Sequence, residues 1–234
     1  MIAVKPGLDR GHSDAADWKA YAIPFAVLIV LLALRPYLGI DSLLTQPLRA
    51  LAVLTALLVF SRGVIRLRPV SPVSSILLGL AVFAIWIGPD VLFPSYRHFW
   101  LFDNALTHPS TGSLPPPALR TSGWFLFYRL GGSVILVPIA EELFWRAGLM
   151  RRLISPRFEK VALGTYGAEA FWLTAVLFAS EHGAYWDVGL AAGILYNWWM
   201  IRTKSLADCI LAHAVTNAAL AAYVLIAHQW QYWG

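Results

Sequence analysis

Long apolar runs alternate with short polar segments along almost the whole of this chain. A bilayer core about 30 Å thick requires about 20 apolar residues from each helix that crosses it. The pattern therefore predicts an all-α fold, a polytopic membrane helical bundle of about seven transmembrane helices, within a range of about six to eight. The predicted spans cover residues 20–38, 48–66, 72–94, 122–150, 163–182, 186–201 and 205–228.

The composition excludes an ordinary soluble domain and a nucleic-acid-binding protein. The 234 residues are 59% hydrophobic and 13% charged, whereas soluble domains are about 45–50% apolar and about 25% charged. The net charge of +5 comes from basic residues at the ends of apolar runs. Membrane topology and lipid headgroups explain basic residues in such places. The lipid bilayer is therefore a predicted partner, and nucleic acid is not.

The short loops predict the orientation of the bundle. If seven spans alternate in direction, four basic groups fall on one side, which should be the cytoplasmic side together with the amino terminus. Arg35 and Arg49 depart from this pattern. We predict a polar cytoplasmic tail over 1–20, one transmembrane domain over 21–234, and an outward-facing loop or lid over 95–121. The four groups are Lys5, Arg10 and Lys19; Arg62, Arg66 and Arg68; Arg151, Arg152, Arg157 and Lys160; and Arg202 and Lys204.

Three polar clusters interrupt the apolar runs in the second half of the chain. A charged side chain at the centre of a spanning helix costs about 2.5–3.5 kcal/mol on insertion scales. Such residues usually face a protein interior or a water-filled cavity, so the clusters indicate a functional site. They are Glu141–Arg146, Phe178–His182 and His213–Asn217.

The first cluster contains two adjacent carboxylates with different predicted surroundings. Neighbouring residues on a helix point about 100° apart, so Glu141 and Glu142 cannot share a face. Glu142 and Arg146 are spaced for an i, i+4 ion pair, which leaves Glu141 as the freer carboxylate and a candidate general base for water. Ten residues, about 15 Å of helix, separate Glu141 from Arg151. Glu141 therefore lies well inside the bilayer if the arginines mark its surface. The alternative is a helix that has already left the membrane, with these groups solvated.

The other two clusters supply imidazoles and an amide. His182 shares a helix face with Phe178, and His213 shares one with Asn217, because both pairs are four residues apart. His213 is about 12 Å from the basic start of its span, a depth similar to that of Glu141, so the two side chains can lie in one layer. His182 fits this layer only if its span is tilted, broken or starts late. The alternatives are an interfacial histidine and an interhelical hydrogen bond that only joins helices.

Other catalytic patterns are absent from the sequence or weak. It contains no His-Glu-x-x-His zinc motif and no Gly-x-Ser-x-Gly elbow. Ser133 and Cys209 are predicted to be small packing residues. Asp208, near the start of the last span, is predicted to serve the amino terminus of that helix.

The order Glu-Glu-x-x-x-Arg, Phe-x-x-x-His and His-x-x-x-Asn on hydrophobic segments resembles the CPBP family. These are the CAAX-processing and bacteriocin-processing membrane proteases. The resemblance covers about half of the chain, over 121–228, which we predict to be the catalytic core. The run Gly189–Tyr196 and its continuation into Ser205 and Leu206 are also similar to the family.

The resemblance implies a glutamic-type intramembrane endopeptidase. Glu141 would activate the hydrolytic water with help from His182, and His213 and Asn217 would bind the oxyanion of the tetrahedral intermediate. An oxyanion donor of this kind is worth about 3–4 kcal/mol. The supporting residues would be Glu142, Arg146 and Phe178.

The resemblance also implies a membrane-anchored protein or peptide as substrate, of a bacterial processing or sorting-tag type, and a multi-pass location in the cell inner membrane. It requires no cofactor, although a zinc site on Glu141, His182 and His213 is an alternative. Two other functions stay open at this point. One is a non-catalytic immunity or scaffold protein of the same fold, and the other is a small transporter that uses the clusters as a proton relay.

Overall fold

The computed structural model describes residues 14–35, 37, 42–104 and 114–233. All regular structure within these residues is helical, which confirms the predicted all-α class. The helices are α1 Asp14–Leu34, α2 Ser42–Ala56 with a π-helical turn Leu57–Ser61, α3 Pro72–Leu92, α4 Pro117–Arg120, α5 Gly123–Ile154, α6 Ala168–Ser180, α7 Trp186–Thr203 and α8 Leu206–Ala227.

The helices of this bundle identify a multi-pass membrane protein. Four are both long and apolar enough to cross a bilayer, namely Leu43–Ser61 within α2, and α3, α5 and α8 in full. Trp18–Leu34 of α1 and the whole of α6 are apolar but shorter. The number of described helices with full spanning length is thus near, but below, the predicted seven. Large apolar side chains on the outside of α2 and α3, such as Leu51 and Leu77, are exposed as expected for contact with lipid.

The second predicted span, 48–66, begins and ends too late. The helix starts at Ser42 and its π-helical turn ends at Ser61, so Arg62 lies outside it and Arg49 lies within it. Arg49 Nη2 donates a hydrogen bond to Gln46 Oε1 at 2.5 Å. Hydropathy alone treats Arg49 as a boundary, but a long apolar stem and a local hydrogen-bond acceptor allow an arginine inside a helix.

The predicted tail over 1–20 and loop over 95–121 are described only in part. Helix α1 already begins at Asp14, within the predicted tail, and residues 1–13 lie outside the described residues. In the loop, a short 3-10 turn over Tyr96–His98 and helix α4 are described, whereas residues 105–113 are not. The assignments of the tail, the loop and the domain limits stay predictions.

Helices α3 and α8 pack closely through a glycine. A Cβ atom added to Gly79 would collide with the carbonyl oxygen of Ala212. The hydroxyl of Thr216 donates a hydrogen bond to the carbonyl oxygen of Gly79 at 2.8 Å. Small residues at such a crossing let two helix backbones approach and exchange hydrogen bonds. This contact fixes α8, which carries His213, against α3.

Asp208 also joins α8 to α3, in a way that differs from its predicted role. Its carboxylate accepts hydrogen bonds from the backbone N–H groups of Val70 at 2.6 Å and Ser71 at 2.8 Å. It therefore caps the start of α3. The amino terminus of its own helix is capped instead by Ser205, whose hydroxyl accepts from the backbone of Asp208. Asp208 also lies in the first turn of α8, where the prediction placed its charge. Sequence spacing shows this local position but not the contact with α3.

Helices α6 and α7 approach each other closely at two glycines of α7 that lie four residues apart. A Cβ atom on Gly193 would lie 3.1 Å from the carbonyl oxygen of Ala175, and one on Gly189 would lie 3.0 Å from His182 Nδ1. This G-x-x-x-G spacing lets the two helices approach closely. The small residues therefore set the position of the segment that follows α6, which carries His182.

Candidate active site

Glu142 and Arg146 form a fully buried ion pair in the middle of the bundle. Arg146 Nη1 lies 3.0 Å from Glu142 Oε1, and neither side chain is exposed. Arg146 Nε donates to Asn197 Oδ1 at 3.1 Å, and its guanidinium lies over the ring of Phe178 at 4.4 Å. A buried charge is stable only if it is paired and hydrogen-bonded. These contacts join α5, α6 and α7, so the i, i+4 pair seen in the sequence also connects helices.

The neighbouring carboxylate, Glu141, has different surroundings. It points into a cavity, and its Oε2 is buried without a hydrogen-bond partner among the described residues. Buried polar atoms in folded proteins are nearly always paired, so an unpaired carboxylate oxygen marks a place for a ligand or for water. The sequence prediction that Glu142 is neutralised and Glu141 is freer agrees with this geometry.

His213 lies in the same layer as the two glutamates, as its depth predicted, but its contact is with Glu142. Its Nδ1 is 2.8 Å from Glu142 Oε1. A carboxylate only accepts hydrogen bonds, so Nδ1 carries the proton and Nε2 is left for another partner. The imidazole also stacks on Tyr196, with ring centres 5.2 Å apart. These two contacts fix the proton on Nδ1 and the plane of the ring.

His182 lies just after the carboxyl end of α6 rather than within it. Its Nδ1 is 2.8 Å from the carbonyl oxygen of Phe178, and since a carbonyl accepts, Nε2 keeps its lone pair. The ring packs against Phe178 and Trp86. The sequence required a tilted, broken or late-starting span, and α6 does start late, at Ala168. Its 13 residues are only about 20 Å long, which keeps His182 near the other site residues.

Asn217 completes the set from one turn further along α8. Its Nδ2 donates a hydrogen bond to the carbonyl oxygen of Ser133 at 2.8 Å. Ser133 lies in a π-helical turn of α5, Gly132–Leu136. Because Nδ2 carries two protons, one N–H of the amide stays available after this bond.

One cavity of about 180 Å³ brings these groups together. Glu141, His182, His213 and Asn217 all line it, and so does Phe178. The described residues include no group of three His, Cys, Asp or Glu side chains placed to hold a metal ion. The zinc alternative on Glu141, His182 and His213 therefore has no ready-made ligand set.

Sequence reasoning missed several residues of this cavity. Tyr196 was noted only as the end of a run that is similar to the family, yet it stacks on His213 and donates to the hydroxyl of Thr216 at 2.7 Å. Arg129 also lines the cavity. Its isolated positive charge within the apolar run 122–150 was the signal that could have found it.

The comparison with known proteins concerns this same part of the chain. Residues 122–219 match the family model described as Type II CAAX prenyl endopeptidase Rce1-like. No curated protein and no solved structure matches the chain. The matched segment lies inside the core predicted over 121–228 and contains every residue of the candidate catalytic set. The resemblance drawn from the three motifs is thereby confirmed, because residues 122–219 match an Rce1-like domain of the CPBP family.

Proposed function

We propose that the protein is a glutamic-type intramembrane endopeptidase that hydrolyses a peptide bond in a membrane-anchored protein or peptide. One observation carries the proposal. The unpaired carboxylate oxygen of Glu141 faces a cavity that is also lined by His182, His213 and Asn217, within a domain of a protease family.

Glu141 acts first as the general base. It takes one proton from a water molecule while the water oxygen bonds to the carbon of the scissile carbonyl. When the tetrahedral intermediate collapses, the C–N bond breaks and Glu141 returns the proton to the leaving nitrogen. The carboxylate is then regenerated, and no covalent enzyme intermediate is needed. His182 accepts a hydrogen bond from the same water through Nε2 and so orients it.

His213 and Asn217 stabilise the oxyanion. Asn217 offers the amide N–H that its bond to Ser133 leaves available, and His213 donates through Nε2 when it carries both ring protons. Each such donor is worth about 3–4 kcal/mol of transition-state stabilisation. Glu142 accepts the hydrogen bond from Nδ1 on the opposite side of the His213 ring and so orients Nε2.

Glu142 and Arg146 are positioning residues in this mechanism. With His213 protonated, two carboxylates, one guanidinium and one imidazolium carry no net charge, which limits the cost of burying them. Arg146 also pairs with Glu142, and Glu142 in turn fixes His213. Phe178 positions two residues of the site, because its ring packs against the guanidinium of Arg146 and its carbonyl oxygen orients His182.

The basic loops support an orientation with the amino terminus in the cytoplasm and the protein in the cell inner membrane. Substrates of a bacterial processing or sorting-tag type would then meet the cavity within the bilayer.

The test compares the wild-type protein with Glu141→Gln in proteoliposomes, with Glu169→Gln as a control for a surface glutamate. Cleavage of a panel of membrane-anchored peptides is followed by mass spectrometry, with and without a metal chelator. We expect cleavage by the wild type and the control, unaffected by the chelator. Loss of the base should reduce the rate about 10²–10⁴-fold. Equal cleavage by Glu141→Gln would refute the mechanism, and binding of the panel without cleavage by the wild type would favour the scaffold alternative.

A further inference from the structure

Arg129 is a charged residue that the proposed mechanism does not use. It lies within the apolar helix α5, and its guanidinium stacks on the ring of Trp233 at 5.4 Å. It makes no ion pair and donates no side-chain hydrogen bond to any residue between 14 and 233 that the structure describes. An arginine in a membrane helix normally has an anionic or carbonyl partner, because an unpaired buried charge is expensive. Arg129 therefore lacks the partner that its position requires.

Arg129 and Glu141 line the same cavity from the same helix. The cavity-lining residues of α5 are Arg129, Ser133, Val137 and Glu141, at steps of four. In a regular α-helix, residues 12 positions apart point about 120° away from each other. The π-helical turn Gly132–Leu136 lies between them and takes more residues per turn, which reduces this divergence. The turn thereby places a cation and the candidate general base on one face.

Among the described residues, the side of Arg129 that faces away from Glu141 adds positive charge and no carboxylate. Arg129 also borders a second cavity of about 190 Å³ with Arg49 and Gln46. Arg49 and Arg35 are like charges that repel the Arg129 guanidinium. These are the two arginines that depart from the charge pattern of the loops. Arg129 is therefore a cation in the cavity that the candidate base also lines, and this arrangement is suited to an anionic part of a substrate.

We infer that Arg129 binds a carboxylate of the peptide whose scissile bond lies at Glu141. The inference rests on the proposed function and specifies its substrate. A guanidinium binds a carboxylate through two parallel hydrogen bonds, which fixes position as well as adding affinity. The 12 residues between Arg129 and Glu141 span about 18 Å of helix. An extended peptide covers that distance in about five residues, at about 3.3 Å each, so the carboxylate lies about five residues beyond the cleaved bond.

The carboxylate has two sources, the carboxyl terminus of the peptide or an Asp or Glu side chain. An anionic lipid headgroup is a different kind of ligand and is less compatible with the geometry. The guanidinium borders the same cavity as Glu141, so a ligand held there is continuous with the position of the cleaved bond, as a peptide is and a separate lipid headgroup is not.

Binding of three labelled hexapeptides tests the inference. They share one apolar sequence and end in a free carboxylate, in a carboxamide, or in an aspartate with a carboxamide terminus. Full-length protein is used in uncharged phosphatidylcholine nanodiscs, with Glu141→Gln present throughout to prevent cleavage. Arg129→Gln and Arg129→Lys are compared with Arg120→Gln. Arg120 is a matched control, since it stacks on Trp230 at 5.1 Å in the same way without lining either cavity.

We expect the free-acid peptide to bind about tenfold or more tightly than the carboxamide, as for a charged hydrogen-bonded pair. Arg129→Gln should remove this preference without weakening carboxamide binding, Arg129→Lys should keep part of it, and Arg120→Gln should keep all of it. If the aspartate peptide also binds tightly, a side-chain carboxylate is accepted too.

Equal binding of acid and carboxamide by the parent protein would overturn the inference, and so would a preference that survives Arg129→Gln. Phosphatidylglycerol binding that depends on Arg129, with no such dependence for peptides, would assign the site to lipid instead. Cleavage is measured separately with Glu141 intact. A carboxylate preference without cleavage would leave this inference standing and refute the proposed function.

Discussion

Arg97 and Arg146 each lie at the centre of a cluster of charged side chains from separate parts of the chain. At the end of the bundle where α3 ends and α7 begins, Arg97 lies 2.8 Å from Asp90 and 2.5 Å from Asp187. The hydroxyls of Tyr96 and Tyr232 donate to the remaining oxygens of the same two carboxylates. Burial disfavours the charged form of Arg97, but the two carboxylates raise its pKa above the ordinary value. Every carboxylate oxygen of this outer cluster is paired.

In the cluster around Arg146, by contrast, not every carboxylate oxygen has a partner. Glu142 Oε1 receives both Arg146 and His213, whereas Glu142 Oε2 and Glu141 Oε2 are buried without a partner among the described residues. Arg97 Nη2 is also buried without a partner among the described residues, so the contrast concerns the carboxylates. A carboxylate with both oxygens paired is held in place, whereas one with an unpaired oxygen is able to interact with something else. The difference indicates that the outer cluster holds loops in place and that the Arg146 cluster holds a reactive carboxylate.

Of the changes proposed here, replacing Arg146 with methionine should cause the largest loss of stability, and replacing Arg97 with methionine should cause a smaller one. Arg146→Met leaves the fully buried Glu142 with only His213, and breaking a buried pair costs about 3–5 kcal/mol. Arg97→Met should cost less, about 1–3 kcal/mol, because water reaches part of that cluster. Thermal unfolding in detergent measures both variants. A smaller loss for Arg146→Met than for Arg97→Met would contradict the comparison.

A methyl group next to His182 should reduce activity without reducing stability. In Gly189→Ala, the new Cβ would lie 3.0–3.2 Å from atoms of the His182 side chain, so the ring must shift. Misplacement of a catalytic group by about 1 Å can cost about 10²-fold in rate. Gly88→Ala is the control, since nothing lies within 4 Å of its Cβ. If both variants cleave substrate equally well, His182 does not orient the water.

The outer cluster should tolerate loss of one carboxylate charge with the smallest effect. Asp187→Asn weakens one contact of Arg97, but Asp90 and the carbonyl oxygen of Ala184 still pair with it. We expect a stability loss of about 1 kcal/mol and an unchanged rate per folded molecule. Cleavage kinetics together with unfolding temperature check this prediction. A rate loss at full stability would show that the outer cluster takes part in catalysis.

The sequence predicted the features that depend on local spacing. Hydropathy placed the helices, and the i, i+4 spacing of Glu142 and Arg146 predicted their ion pair, which the geometry contains. The same reasoning separated Glu141 from its neighbour, because adjacent helical residues cannot point the same way.

Features that depend on contacts between helices could not be predicted in this way. Nothing local shows that Asp208 caps α3 or that His213 contacts Glu142. The π-helical turns of α5 also follow no spacing rule, although one lies between Arg129 and Glu141 on the shared face. The late start of α6, which keeps His182 at the cavity, was only one of three possibilities in the sequence.

The central claim is that two adjacent carboxylates have different tasks, and one paired measurement tests it most directly. Glu141→Gln and Glu142→Gln are compared for unfolding temperature and for cleavage rate per folded molecule. We predict that Glu141→Gln unfolds at the wild-type temperature and cleaves about 10²–10⁴-fold more slowly than the wild type. Glu142→Gln should unfold at a lower temperature, because Arg146 loses its buried anion. Cleavage by Glu141→Gln at the wild-type rate, or a loss of stability as large as that of Glu142→Gln, would contradict the account.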